Sequence, residues 1–181
     1  PEIKRSNLAS VVLQMKAFGL GDPLQFPFLE PPDPRVIRDA QQLLIELGAL
    51  RGVTLTSVGR AMARLPVDPR LARMLIAANE ERSLSEVLII VSALAVQDPR
   101  EHPVEKRGSA DRAHEGWLDS RSDFMSFLKM WSWFERRRQE ITRSALKKEI
   151  ARKFLSQPRM REWRELHRQL LLVVKSLKMR L

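Results

Sequence analysis

Apolar residues recur at helical spacing along most of the chain, interrupted by Pro- and Gly-rich punctuation. Leu8, Val11, Val12, Met15 and Phe18 predict an amphipathic helix that ends at Gly19. The next stretch, LQFPFLEPPDP (residues 24–34), is rich in Pro yet apolar, and is expected to lie across a surface. Asp33-Pro34 opens a second helix in which Val36, Ile37, Ala40, Leu43, Leu44 and Leu47 form a broad apolar face, and Gly48 closes it. Val53-Thr54-Leu55 reads as a short strand. Thr56 then caps a helix over residues 57–64 with Val58, Met62 and Leu65 on one side. Leu65-Pro66-Val67 cannot continue that helix, because Pro66 lacks an N–H and forces Leu65 into extended geometry, so it is read as a second short strand.

Asp68-Pro69 restarts a helix, with Asp68 as N-cap and Pro69 in the first helical position, followed by Leu71, Met74, Leu75 and Ala78. Ser83 and Glu86 form a capping-box pattern ahead of residues 87–96, which are apolar nearly all round and so are expected at the centre of a second domain. Residues 97–116 are polar, with Pro99, Pro103 and Gly108, and read as loop or short turns; Asp98 is expected to hydrogen-bond locally. Ser122 caps a helix carrying Phe124, Phe127, Leu128, Trp131 and Phe134, a stripe better suited to a core than to base stacking. Trp133 lies off that stripe and is the better candidate for an exposed aromatic. In the last helix, capped by Ser156 with Pro158 just inside, Trp163, Leu166, Leu170, Val173, Val174, Leu177 and Leu181 share one face. Arg161, Arg164, Arg168 and Lys175 cluster on nearly the opposite one, with Glu162 and Glu165 beside them. The fold class that follows is mainly α, with a small winged-helix domain over residues 1–67 and a multi-helix bundle over residues 68–181.

Charge sharpens this picture once it is located. The chain carries a net charge of +10 over 181 residues, but residues 136–181 hold 15 Lys and Arg against 4 Glu. Residues 1–135 hold 17 basic residues against 18 acidic ones. A segregated excess of this kind suits a polyanionic partner. Zero Cys removes disulfides, thiol nucleophiles and thiolate metal sites, and fits a reducing cytoplasm. No apolar run approaches the roughly 20 residues that span a bilayer, and no membrane partner is expected. The first residues have neither a signal-peptide layout nor an initiator Met, as expected of a piece of a longer protein.

No G-x-x-x-x-G-K-[ST] phosphate loop and no D-E-x-H motif occurs, so neither ATP nor a metal is expected to bind here and no catalytic residue is assigned. His102, His114 and His167 are scattered without ligand spacing. The helix over residues 57–64 offers only Arg60 and Arg64, a poor kit for reading base edges, and is expected to pack rather than to enter a groove.

The string TSVGRAMARLPVDPRLARML (Thr56 to Leu75) resembles the junction downstream of the motor in DEAH-box RNA helicases, where a small winged-helix domain meets a helical ratchet domain. The similarity extends upstream through Pro1-Glu2-Ile3, Asn7-Leu8-Ala9, Phe26 to Pro32 and Leu47 to Leu50. Downstream it takes in Ser92-Ala93-Leu94, Asp98 to Pro103 and Ala110-Asp111. Lys153 to Leu177 is most similar to the bacterial HrpA-type members. The resemblance implies the accessory C-terminal region of an ATP-dependent RNA helicase. ATP and Mg2+ would bind in motor lobes outside this chain, and an oligonucleotide-binding-fold domain would flank it. The ratchet domain would form part of the channel wall for single-stranded RNA, with DNA left open, and would prevent back-slip during translocation. The chain would be a cytoplasmic monomer. The family's contact motif, a Phe-Leu-Asn-type stretch followed by an Arg, matches Phe154, Leu155, Ser156 and, after one extra position, Arg159, with Ser in place of the usual Asn. Arg159 is expected either to meet a phosphate at the helix N-terminus or to form a structural salt bridge. With Arg161, Arg164, Arg168 and Lys175, these residues make the expected nucleic-acid site. Two alternatives stay open on the sequence: a stand-alone winged-helix nucleic-acid-binding regulator, and a protein-interaction scaffold without RNA contact.

Overall fold

In a computed structural model of the chain, the backbone is described for residues 2–181 and side chains for residues 8–181. Pro1 and the side chains of residues 2–7, which carry the first part of the family resemblance, lie outside the described residues. Helices dominate: α1 (Glu2–Phe18), α2 (Pro34–Glu46), α3 (Ser57–Ala63), α4 (Pro69–Glu80), α5 (Leu84–Leu94), α6 (Arg107–His114), α7 (Asp123–Glu140), α8 (Arg143–Arg152) and α9 (Gln157–Ser176). A two-stranded antiparallel hairpin, β1 (Leu50–Arg51) and β2 (Thr54–Leu55), precedes α3. The chain divides into two compact units, Pro1–Leu84 with Val173–Leu181, and Ser85–Leu172. Among the described residues no helix is long and apolar enough to cross a membrane.

In the first unit, local chemistry sets the helix starts. Asp33 and Asp68 each accept the amide of the residue two positions on, at 2.8 and 2.9 Å, and Pro34 and Pro69 follow where a missing N–H costs nothing. Thr56 accepts from the Gly59 amide at 2.9 Å. Val12, Leu44, Met62 and Leu75, from four different helices, are fully buried in this unit. The Pro-rich segment lies across α1: Phe26 and Phe28 meet edge to face at 4.8 Å and line a groove with Val11 and Met15.

One expectation is corrected here. The second short strand is β1, paired Leu50 to Leu55 across a turn that Gly52 makes at φ +57°, and residues 65–67 form no strand. Leu65-Pro66-Val67 instead folds into a tight turn in which the Val67 amide donates to the Leu65 carbonyl at 2.9 Å. Pro66 has no N–H to give a ladder.

The second unit is built around Trp163 of α9, which is wholly buried. Its indole N–H is shared between the Ile89 carbonyl at 3.1 Å and the Ser92 hydroxyl oxygen at 3.0 Å, so the largest core side chain has its one polar atom satisfied. Trp131 and Phe127 of α7 pack on it with ring centroids 5.1 and 6.0 Å away, and Met130, Phe134, Leu146, Ile150 and Met160 complete the cluster. The expected loop over residues 97–116 contains a helix, α6, preceded by a 3-10 turn at Val104–Lys106. Ala110 and His114, one turn apart, are both buried, and this tertiary anchoring outweighs the weak propensity of its Gly and Ser. Phe124, expected in the core, is 44% exposed, and Trp133 is half-buried against Trp117 at 5.2 Å.

Gly59 supplies a test of the first unit. A Cβ there would sit 2.2 Å from the Ala49 carbonyl oxygen, which already accepts from the Thr56 amide at 3.0 Å and its hydroxyl at 3.1 Å. Helix propensity favours Ala over Gly by about 1 kcal/mol, but overpacking against backbone costs about 1–3 kcal/mol or more. Gly59→Ala is expected to lower the urea midpoint with an unchanged slope; a raised midpoint would show that the Ala49 carbonyl gives way.

Candidate nucleic-acid interface

The start of α9 is held by a loop far away in sequence. α8 ends at Arg152, and the chain reverses through Phe154 in the left-handed region, at φ +50°. Leu155 then pairs as an isolated antiparallel bridge with Arg100. The Glu101 amide donates to the Phe154 carbonyl and the Ser156 amide to the Pro99 carbonyl, both at 2.8 Å. His114 closes the same turn: its Nε2 lies 2.8 Å from the Lys153 carbonyl and 3.2 Å from that of Phe154. Both partners are acceptors, so Nε2 carries the proton. Nδ1 is buried without a partner, and burial lowers the His114 pKa from its ordinary value.

Ser156 is 9% exposed, immediately before α9, with its amide taken by Pro99 and its carbonyl by the Met160 amide at 3.0 Å. Arg159 is half-buried and donates from Nη1 to the Asp98 carbonyl at 3.1 Å. Asp98 in turn accepts from the Arg100 amide at 2.9 Å and from its guanidinium at 2.6 Å. Burial alone would push the Asp98 carboxyl up, but the Arg100 hydrogen bonds and charge together hold it below its ordinary value. Arg100 also lies over the Phe127 ring, 5.5 Å from its centroid. Ser156 and Arg159 are therefore tied into the loop over residues 98–101.

The outward row is different. Arg161 is exposed and, among the described residues, makes no side-chain hydrogen bond or ion pair. Arg164 pairs with Glu135 of α7 at 3.0 Å, and the same carboxylate takes Arg138 at 2.9 Å. Arg168 pairs with Glu165 at 2.6 Å, which holds that carboxyl well below the usual range. Lys175 is exposed in the last turn of α9, within the segment that groups with the first unit. The second unit thus brings Arg161, Arg164 and Arg168 onto one helix side, with two of the three carboxylate-paired.

Sequence reasoning missed two residues that stand with this row. Arg143 and Lys147, one turn apart on α8, border the same groove as Arg161 and Arg164. Their signal was the helical spacing within the basic segment, but only the packing of α8 beside α9 gives them a common side. On α3, Arg60 donates to the Leu55 carbonyl at 3.2 Å and Arg64 to the Ser176 hydroxyl at 2.9 Å, both within the first unit. Among the described residues no group of three or more His, Cys, Asp or Glu could hold a metal ion.

Fold and sequence together define the class. The helicase-associated (HA2) winged-helix family model matches residues 40–67 and the HA2 ratchet-like model matches residues 68–158. The chain belongs to this helicase-associated HA2 family, of the HrpA-like kind. It is 44% identical over 185 residues to the ATP-dependent RNA helicase HrpA homolog of Haemophilus influenzae, and 44% identical over 183 residues to the ATP-dependent RNA helicase HrpA of Escherichia coli. Each match covers 98% of this chain and 14% of the relative, so the chain spans about a seventh of their length.

The His114 anchor gives a pH dependence with a definite sign. Its folded pKa lies below the ordinary 6.5, so its contribution to stability is complete above that value and declines as pH falls through the folded pKa. His167, also lowered by burial, acts in the same direction. Stability measured by urea unfolding is expected to fall between about pH 7 and pH 5, and His114→Gln is expected to flatten that decline in part. An unchanged slope in the variant would remove His114 from the account.

Proposed function

We propose that this chain is the winged-helix and ratchet-like region of an ATP-dependent RNA helicase, and that it contacts the backbone of single-stranded RNA through the basic side of α9. In this reading the region couples opening and closing of the motor lobes to directional translocation. ATP and Mg2+ act in those lobes, outside the chain. The observation that carries the reading is the basic excess of residues 136–181, with Arg161 displayed on the outer side of the last helix. Family membership, and the similarity to ATP-dependent RNA helicases, support RNA as the polyanion.

Within this reading the two functional domains, residues 1–67 and 68–181, meet near Val67-Asp68. The family-model limits and the helix break at Pro66 support that boundary. Residues 68–84 group spatially with the first compact unit, so the functional boundary need not follow compactness. Ser156 and Arg159 act chiefly as positioning residues, because their polar groups hold the helix start; Arg161, Arg164, Arg168 and Lys175 supply charge to phosphates. Such contacts read backbone rather than base, so RNA and DNA single strands of any sequence are accommodated.

The test is fluorescence anisotropy of the chain with a labelled single-stranded RNA across a salt series, beside Arg161→Ala/Arg164→Ala/Arg168→Ala. Weak, sequence-indifferent binding is expected, with a log–log salt slope that flattens by about 2 in the triple variant, at roughly 0.7 per lost phosphate contact. Binding with an unaltered slope would move the RNA track off α9. No binding at low salt would leave the basic side as a protein-docking surface.

A further inference from the structure

The C-terminal half of α7, helix α8 and the first turns of α9 enclose a groove of about 560 Å³. Its floor is apolar, with Phe134, Ile150 and Met160 among the lining side chains. Its rim carries five cations, Arg138, Arg143, Lys147, Arg161 and Arg164, and no carboxylate lines it. Glu135 pairs with two of these cations, Arg138 and Arg164, so that two guanidinium groups share one carboxylate. Arg143, Lys147 and Arg161 are exposed and, among the described residues, make no side-chain ion pair.

We infer that this groove is a phosphodiester-binding track in which α8, through Arg143 and Lys147, forms the wall opposite Arg161 of α9. The inference rests on the proposed RNA-binding reading and extends it to a helix and two residues outside the α9 row. Three features point to a single nucleic-acid strand. Cations on three different helices face one space, so a chain of regularly spaced phosphates meets charge on both sides. The apolar floor suits the faces of sugars and bases while excluding water from the contacts. The carboxylate between Arg138 and Arg164 steers two guanidinium groups without cancelling both charges. An acidic protein segment would find the same charge but is not otherwise called for, and it becomes an outcome of the test.

Arg143→Ala/Lys147→Ala is the decisive variant, because both side chains are exposed and such surface changes typically alter stability by no more than about 0.5 kcal/mol. The control is Lys148→Ala/Arg152→Ala: the same helix, the same spacing and the same loss of charge, at exposed positions outside the groove. Both are titrated as the full 181-residue chain against a labelled oligouridylate across a salt series, with polyglutamate as competitor. The salt slope is expected to flatten by about 1.4 in the groove variant, two contacts at roughly 0.7 each, and to stay at the wild-type value in the control. Equal flattening in both would mean a diffuse field and overturn the track. A wild-type slope in the groove variant, with flattening in the α9 triple variant, would overturn the track and leave the α9 reading intact. Polyglutamate binding that depends on Arg143 and Lys147, without oligouridylate binding, would overturn both readings in favour of an acidic protein partner.

Discussion

Two backbone hydrogen bonds, from Glu101 to Phe154 and from Ser156 to Pro99, fix the point at which the last helix begins. Without them the amides of Glu101 and Ser156 would need other partners, and a buried amide left unpaired costs about 1–3 kcal/mol. The bridge also supports a left-handed Phe154, a conformation costing roughly 1–2 kcal/mol for a residue with a side chain. His114 adds bonds to two carbonyls of the same turn, and Arg159 adds one from the other side to Asp98. Several modest interactions converge on a few residues, and together they set the azimuth of everything on α9.

That azimuth decides which side chains are core and which are display. With the helix start held, Trp163 falls against α5, where its indole N–H finds both the Ile89 carbonyl and Ser92. Arg161 and Arg164, on the other side, then face outward beside α7 and α8. The same rotation that buries Trp163 therefore exposes the cations, and packing and electrostatics are two consequences of one constraint. A small turn of α9 would cost the core its largest buried residue before it moved the charge.

The helical periods and caps were legible because they are local: Asp33, Thr56, Asp68 and Ser122 each cap the helix assigned to them. Where reading along the chain failed, the deciding partner was distant in sequence. α6 is held by Ala110 and by His114, whose bonds go to residues 153 and 154, and nothing near it in sequence announces them. The strand Leu50–Arg51 escapes a reading along the chain because two residues carry no alternation, while the break at Pro66 reads as extended chain though residues 65–67 form a turn. On the sequence Arg159 reads as a phosphate ligand or a salt bridge, and its partner is the Asp98 backbone carbonyl, a class of contact that spacing cannot disclose. The basic segment was visible as composition, yet the facing of Arg143 and Lys147 toward Arg161 depends on how α8 folds back on α9.

Ion pairing ranks the cations. A guanidinium already bound to a carboxylate must share or surrender that partner before it can take a phosphate, so Arg168, paired with Glu165 on its own helix, gains least from a polyanion. Arg164 and Arg138 divide one carboxylate between them and keep donors for another acceptor. Arg143, Lys147 and Arg161 have no such competitor among the described residues, and they lie close enough to one another to repel at low salt. A bound phosphate chain relieves that repulsion as it forms its own contacts. Cations crowded on one side, rather than the total charge of the chain, are what distinguish a binding surface from a merely soluble one.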